Sequence, residues 1–168
     1  MTDEVVLGGG CFWCIGAVLK RLGGVISVIP GYAGGEKADP TYEQVCRGNT
    51  GHAEVVRVSF DPARFSLREI LETFFAIHDP TQADGQGHDI GSQYRSIILY
   101  TDEGQKRTAE DAKAEAQRHF KHPIVTQIGA LKKFFPAEEY HYDYYDRNPD
   151  QPYCRAVIAP KVARFKER

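Results

Sequence analysis

The stretch Val5-Val6-Leu7-Gly8-Gly9-Gly10-Cys11-Phe12-Trp13-Cys14 changes pattern halfway, and that change sets the expected architecture. Three consecutive branched apolar residues read as a short buried strand, and three glycines break it. From residue 11 to 22 the apolar positions Ile15, Val18, Leu19 and Leu22 recur at spacings of three and four, which predicts a helix, and Gly23-Gly24 stops it. A β-branched run over 25–32 then predicts a second strand. The chain thus starts strand, helix, strand, with a cysteine where the first strand hands over to the helix.

Working outward, residues 33–39 form a glycine-rich loop and Pro40-Thr41 opens a short helical turn to Arg47. The segment 52–60 ends in clean alternation, with Val56, Val58 and Phe60 on one face and Arg57 and Ser59 on the other. Ser66-Leu67-Arg68-Glu69 is a capping box, and Leu67, Ile70, Leu71, Phe74 and Phe75 make the buried stripe of the helix it starts. Residues 79–93 read as a polar loop without regular structure, a length more often functional than idle. A strand over 96–100, a long polar helix over 102–120 and a last strand over 124–128 follow. Pro136 is placed in the first turn of a helix running through Glu138-Glu139-Tyr140-His141, and residues 148–168 are expected as an irregular tail with a terminal turn at 161–166.

This alternation predicts an α+β fold: a two-layer sandwich with a ferredoxin-like, mixed or antiparallel sheet, helices packed on it and a long irregular C-terminal tail. The 168 residues suit one domain, taken as 1–168, and a formal net charge of −2 argues against nucleic acid or an anionic membrane as the main partner. Hydrophobic residues at 42% are enough for a real core, which excludes wholesale disorder. No apolar run approaches the roughly eighteen residues that a membrane helix needs, and the opening Met1-Thr2-Asp3-Glu4 is acidic where a secretory signal would be basic. A cytoplasmic protein is expected, and a monomer, because no long apolar face is left uncommitted. The single methionine, at position 1, is either chance or a chain without oxidisable thioethers of its own.

The four cysteines, Cys11, Cys14, Cys46 and Cys154, do not form a disulfide scaffold for a cytosolic chain of this length. Cys11 at a helix start predicts a depressed thiol pKa and a reactive thiolate, and Phe12 with Trp13 puts two aromatic faces beside the sulfur. The competing reading is a buried cysteine with two core aromatics. A zinc site would need a second ligand pair; there is no second CxxC, and His119-x-x-His122 falls in a helix-to-strand connection, so no metal is assigned. The stretch has neither the Lys-Ser/Thr of a P-loop nor a GxGxxG register. Glu54, at the edge of an apolar strand, is a candidate acid with a raised pKa, or else an exposed strand-end glutamate. The loop holding Asp89, Tyr94 and Arg95 is polar enough to serve a site or merely to be hydrated. Around His141 three tyrosines and two aspartates crowd together, offering neutral donors or simply capping the core. Cys46 reads as packing.

These motifs, in this order, resemble the peptide-methionine sulfoxide reductases of the A type. The likeness is carried by Gly10-Cys11-Phe12-Trp13, Gly31-Tyr32-Ala33-Gly34-Gly35, Pro40-Thr41-Tyr42-Glu43-Gln44-Val45-Cys46, Thr50-Gly51-His52-Ala53-Glu54, His78-Asp79-Pro80-Thr81, Asp89-Ile90-Gly91-Ser92-Gln93-Tyr94-Arg95-Ser96 and Glu138-Glu139-Tyr140-His141. It implies reduction of the S epimer of methionine sulfoxide, free or in oxidised proteins and peptides, without a metal or other cofactor. By matched position it implies Cys11 as the nucleophile and Phe12 and Trp13 as the pocket for the substrate's methyl group. Protonated Glu54 would be the donor to the sulfoxide oxygen, helped by Tyr42 and Tyr94. Asp89 would position water or the substrate backbone, and Tyr144 would help shape the pocket.

The resemblance further implies that a second thiol condenses with the sulfenic acid left on Cys11 and that thioredoxin, or dithiothreitol in vitro, reduces the disulfide. Cys154 occupies the resolving position of many relatives, while Cys14 stands where glycine is commoner. Cys154 is ranked first, because a Cys11–Cys14 bridge must distort the first helical turn, and a relay through both stays open. Tyr142 follows His141 where glutamine is usual, and the tail lacks the further distal cysteine of some members. Two rival functions use the same residues: a dithiol oxidoreductase of thioredoxin type built on Cys11 and Cys14 alone, and a thioether-binding module with structural cysteines.

Overall fold

The computed structural model describes residues 2–165. The change of pattern falls where the sequence places it: β1 (Asp3–Gly8) ends at the glycines, and α1 (Phe12–Leu19) begins with Cys11 as its N-cap. Val5, Val6 and Leu7 are all fully buried, since β1 lies inside the sheet with both faces covered. The chain continues through β2 (Val25–Ala33), a short α2 (Tyr42–Cys46) and β3 (Ala53–Phe60). The expected capping box starts α3 (Leu67–Ile77), with Ser66 accepting the Glu69 N–H at 3.1 Å and Glu69 accepting the Ser66 N–H at 3.2 Å. Fully burying side chains such as Ile70, Leu71 and Phe74 stabilises this helix on the sheet by about 1.5–3 kcal/mol each.

The segment expected as an unstructured loop instead folds on itself. It contains the ribbon β4 (Gly85–Gln86) and β5 (Asp89–Ile90) and a 3₁₀ turn at Ser92–Tyr94, held partly by the Gly91 N–H on the Asp84 carbonyl at 2.8 Å. Then come β6 (Ile97–Tyr100), α4 (Glu103–Gln117), β7 (Gln127–Ala130) and β8 (Phe134–Pro136). Pro136 therefore closes a strand and opens no helix. Only a 3₁₀ turn, Glu139–His141, follows, before α5 (Tyr144–Arg147). As far as residue 165 the tail is not irregular: Cys154–Ile158 forms a π-helical turn that runs into α6 (Ala159–Phe165). Cys154, Ile158, Val162 and Phe165 bury themselves in the main core at spacings of three and four, a periodicity that the sequence reading passed over. The expected terminal turn reaches residue 166, which lies outside the described residues.

The strands form one mixed sheet in the order β7-β6-β1-β3-β2-β8, antiparallel throughout except for the parallel pair β6–β7. Val5, Leu7, Val56, Val58 and Phe60 face the helices and join Ile15, Leu19, Ile70 and Phe74 in the main core. The alternate residues Val6, Val55, Ile97 and Leu99 form a smaller cluster on the other face, against Leu131 and Phe134. Among the described residues no helix is long and apolar enough to cross a membrane.

Candidate active site

Cys11 sits at the N-terminal end of α1, over the helix-facing side of the sheet. The turn that places it depends on two glycines. Gly10 has φ +88°, the left-handed region, and a Cβ on Gly9 would stand 2.9 Å from the ring of buried His78. The Gly10 N–H donates to the Tyr94 carbonyl at 3.1 Å, which staples the approach to Cys11 onto the loop carrying Asp89 and Tyr94.

The partner acid comes from β3. Period-two alternation continues the helix-facing row Phe60, Val58, Val56 by one more step, to Glu54, whose exposure is 0%. An otherwise apolar row thus ends in a carboxyl directly under the start of α1. Its Oε1 accepts the Phe12 N–H at 3.3 Å, one of the free donors of the helix N-terminus, and its Oε2 accepts from the Gln93 amide at 2.9 Å. Burial pushes the Glu54 pKa up to about 7; the two hydrogen bonds restrain the rise, and the charges of Asp89 and Cys14 add to it.

The thiols depart from the sequence expectation. Cys11, 7% exposed, is pushed up rather than down: burial acts first, then its hydrogen bond to Cys14 and the charge of Glu54, and these outweigh the helix N-terminus. The acidic thiol is Cys14, one turn into the helix and held down to about 7. The Cys11 S–H that donates to it is the main cause, working against burial, with Lys161 and the Tyr153 hydroxyl assisting. Within the pair the two shifts run in opposite directions, up for Cys11 and down for Cys14.

Tyr42 and Tyr94 flank this group. Burial, then the charge of Glu54, holds both hydroxyls above their ordinary range, so both remain donors. Tyr42 is placed by Glu138, which accepts the Tyr42 N–H at 3.0 Å and the Tyr32 hydroxyl at 2.8 Å. Asp89 accepts the Tyr153 hydroxyl at 2.7 Å, and that same hydroxyl lies 3.3 Å from Cys14 Sγ.

An aromatic wall completes the site. Phe12 is 1% exposed, packed between Tyr42, Tyr32 and His141, so it forms the floor; half-buried Trp13 supplies the accessible face. Tyr144 stacks on Trp13 with ring centroids 3.7 Å apart, and Tyr153 meets it edge-on. The indole N–H donates to His141 Nδ1 at 3.0 Å, which fixes His141 as the neutral tautomer with its proton on Nε2. Burial keeps its pKa low, and Nε2 is a buried donor with no acceptor among the described residues. Cys154 is fully buried, its thiol pushed up by burial and by the charge of Cys14. Cys46 is exposed on α2, with its sulfur 3.4 Å from the Gln93 amide, so it does not pack in the core.

The residues to which the resemblance gives roles thus converge on one end of the sheet, and Cys154 lies near enough for the charge of Cys14 to raise its thiol. Tyr153, Gln93 and His141 were not assigned roles. Tyr153 carried a signal, as the neighbour of Cys154 in an aromatic-rich segment; Gln93 carried none, because an amide in a polar loop looks like any other.

A dithiol at a helix start, faced by a buried carboxyl that titrates near neutrality, defines a thiol-dependent oxidoreductase site. Residues 3–168 match the family model of peptide methionine sulfoxide reductase, and the chain belongs to that family. It is 54% identical to a peptide methionine sulfoxide reductase MsrA of Sulfolobus acidocaldarius over 163 residues, covering 97% of this chain and 93% of the relative. Among solved structures, Mxr1 from Saccharomyces cerevisiae in reduced form is similar with a TM-score of 0.87 and 35% identity, covering 91% of this chain and 89% of that one. The same yeast protein has been solved in complex with Trx2; that chain matches with a TM-score of 0.63 and 27% identity, covering 85% of this chain and 84% of its own. The chain is accordingly an oxidoreductase of the methionine sulfoxide reductase family.

Proposed function

We propose that the chain reduces the S epimer of methionine sulfoxide, in oxidised proteins and peptides or free, by attack of Cys11 on the sulfoxide sulfur. One observation carries this reading: Glu54, fully buried beside Cys11, titrates at about 7 and so still holds a proton at neutrality for a leaving oxygen. A sulfoxide S–O bond breaks only if its oxygen is protonated. Glu54 gives that proton, with the Tyr42 and Tyr94 hydroxyls as additional donors. The substrate methyl lies against Trp13 over the Phe12 floor, framed by Tyr144 and Tyr153. With oxygen toward Glu54, methyl toward the indole and the rest of the residue toward solvent, only one epimer turns its sulfur to Cys11. Asp89 supplies an acceptor for the substrate backbone or for a water that positions it.

Overall, the Cys11 thiol and the sulfoxide become a sulfenic acid and a thioether: the sulfoxide sulfur is reduced and the cysteine sulfur oxidised. The charge resting on Cys14 moves to Cys11 as the S–H proton passes between them. A second thiol then displaces water from the sulfenic acid to form a disulfide. Cys14 lies one turn along the same helix, near enough for the two thiols to shift each other's ionisation, and is taken as the first partner ahead of Cys154, which the sequence ranks first and which takes the disulfide over in a relay. Thioredoxin, or dithiothreitol, reduces the final disulfide, and no cofactor is called for. This reading takes residues 1–168 as one cytoplasmic, monomeric domain with neither nucleic acid nor membrane as partner. It also takes β6-β1-β3-β2 with α1 and α3 as a ferredoxin-like, two-layer centre.

The test is incubation with dithiothreitol and both sulfoxide epimers, followed by chromatography of the thioether. Consumption of one epimer only, abolished by Cys11→Ser, is the expected result. Reduction of insulin disulfides without sulfoxide turnover, or stoichiometric binding without product, would sink it. Mass spectrometry after one equivalent of substrate should show a Cys11–Cys14 bridge in Cys154→Ser; a bridge from Cys11 to Cys154 alone in the parent removes Cys14 from the relay.

A further inference from the structure

Gln93 is 5% exposed at the centre of the Ser92–Tyr94 turn, and its amide reaches two further elements at once. Its Nε2 donates to Glu54 Oε2 on β3 at 2.9 Å and to Cys46 Sγ on α2 at 3.4 Å. Its own turn is anchored beside the nucleophile, through the Gly10 N–H on the Tyr94 carbonyl and the Arg95 guanidinium on the Ser92 carbonyl at 2.8 Å. Elements bearing Tyr42, Tyr94 and Glu54 therefore meet at this one side chain.

We propose that Gln93 is a positioning residue for the reaction: its amide, wedged between Cys46 and Glu54, aims the Glu54 carboxyl and holds it while it changes charge. This rests on the reading of Glu54 as proton donor. The groups that face Glu54 are Cys11 and Cys14 from α1, Asp89 from β5, Tyr32 from β2, Tyr42 from α2 and Tyr94 from the turn. None of these groups of the described residues is cationic, and Cys14 and Asp89 bring negative charge. A carboxylate formed there on proton transfer keeps two N–H donors, and the shorter of the two is the Gln93 amide. The other belongs to the Phe12 backbone, so Gln93 is the part of this support that a substitution can remove. Because the turn is tied to Gly10, the amide also fixes the carboxyl relative to Cys11.

The test is single-turnover reduction of methionine sulfoxide, with protein in excess and no external reductant, followed across the pH range for the parent, Gln93→Met, Gln93→Glu and Glu54→Gln. Gln93→Met keeps the shape and removes the donor. It is expected to slow the maximal rate about tenfold and to move the alkaline limb upward by about one pH unit, leaving the acid limb in place. Gln93→Glu sets a second carboxyl against Glu54, so the pair shares a proton and the alkaline limb also moves upward; this variant carries the test if Gln93→Met does not fold. Parental rates and limbs in both Gln93 variants, with Glu54→Gln strongly impaired, overturn the role of Gln93 alone. A parental rate in Glu54→Gln overturns the donor role beneath it.

Discussion

Glu54 is the residue on which pH dependence concentrates. With Cys14 losing its proton at about 7 and Glu54 losing its own at about 7, single-turnover reduction is expected to follow a bell centred near neutrality. Glu54→Gln should remove the alkaline limb and slow the maximal rate by about a hundredfold or more, read from the thioether formed at each pH. The same residue sets a stability trend. Its folded pKa lies above its unfolded one, so it contributes stability that is fully present below the ordinary carboxyl range and lost as pH rises through about 7. Glu54→Gln has no charge to bury. It is expected to unfold later in urea than the parent at pH 8 by on the order of 2 kcal/mol, and with little difference at pH 5. A parent midpoint that does not fall between those pH values would refute the assignment.

At the scale of elements, two devices hold the site without touching substrate. The capping box at Ser66 supports α3, which supports α1. Ser66→Ala is expected to cost about 1 kcal/mol in urea unfolding and to leave KM unchanged. The second device is the clasp between α1 and α5, where Lys20 meets Asp143 at 2.7 Å and also Asp146, and Arg21 meets Asp146. These partly exposed pairs are worth under about 1 kcal/mol, but they hold the segment whose Tyr144 covers Trp13. Asp146→Asn is therefore expected to raise KM for an oxidised peptide about two- to threefold with kcat unchanged. Roughly 0.5 M salt should raise the parent's KM in the same way. An unchanged KM in both experiments would leave Tyr144 held by stacking alone.

For the whole molecule, the sheet interior ties the site together, because β1 carries the glycine turn and β3 carries Glu54. Leu7, fully buried in the main core, is expected to cost about 3 kcal/mol when cut back to alanine, measured by urea unfolding. Much of this organisation is legible in the sequence, and the reasons differ by residue. Val5-Val6-Leu7 before the glycines, the stripe Ile70, Leu71 and Phe74, and the box Ser66–Glu69 are local patterns: each is satisfied within a few residues of itself. The helical tail was missed because its period lies among Pro152, Pro160 and charged residues, and only docking on the core makes it pay. β8 escaped notice because three residues that end in a proline carry no strand signal until the β2 edge pairs with them.

The sequence alone determined which residues have chemistry to offer and which strands and helices frame them, since periodicity, caps and motif order act over short range. The ionisation of the thiols was decided only in the folded molecule. A helix start favours charge on Cys11, yet burial above Glu54 and the neighbouring Cys14 push its thiol up, while Cys14, one turn along the helix, is held down. Such shifts depend on the surrounding dielectric and on neighbours remote in the chain, Glu54, Asp89 and Tyr153 among them. No reading of adjacent letters contains those distances.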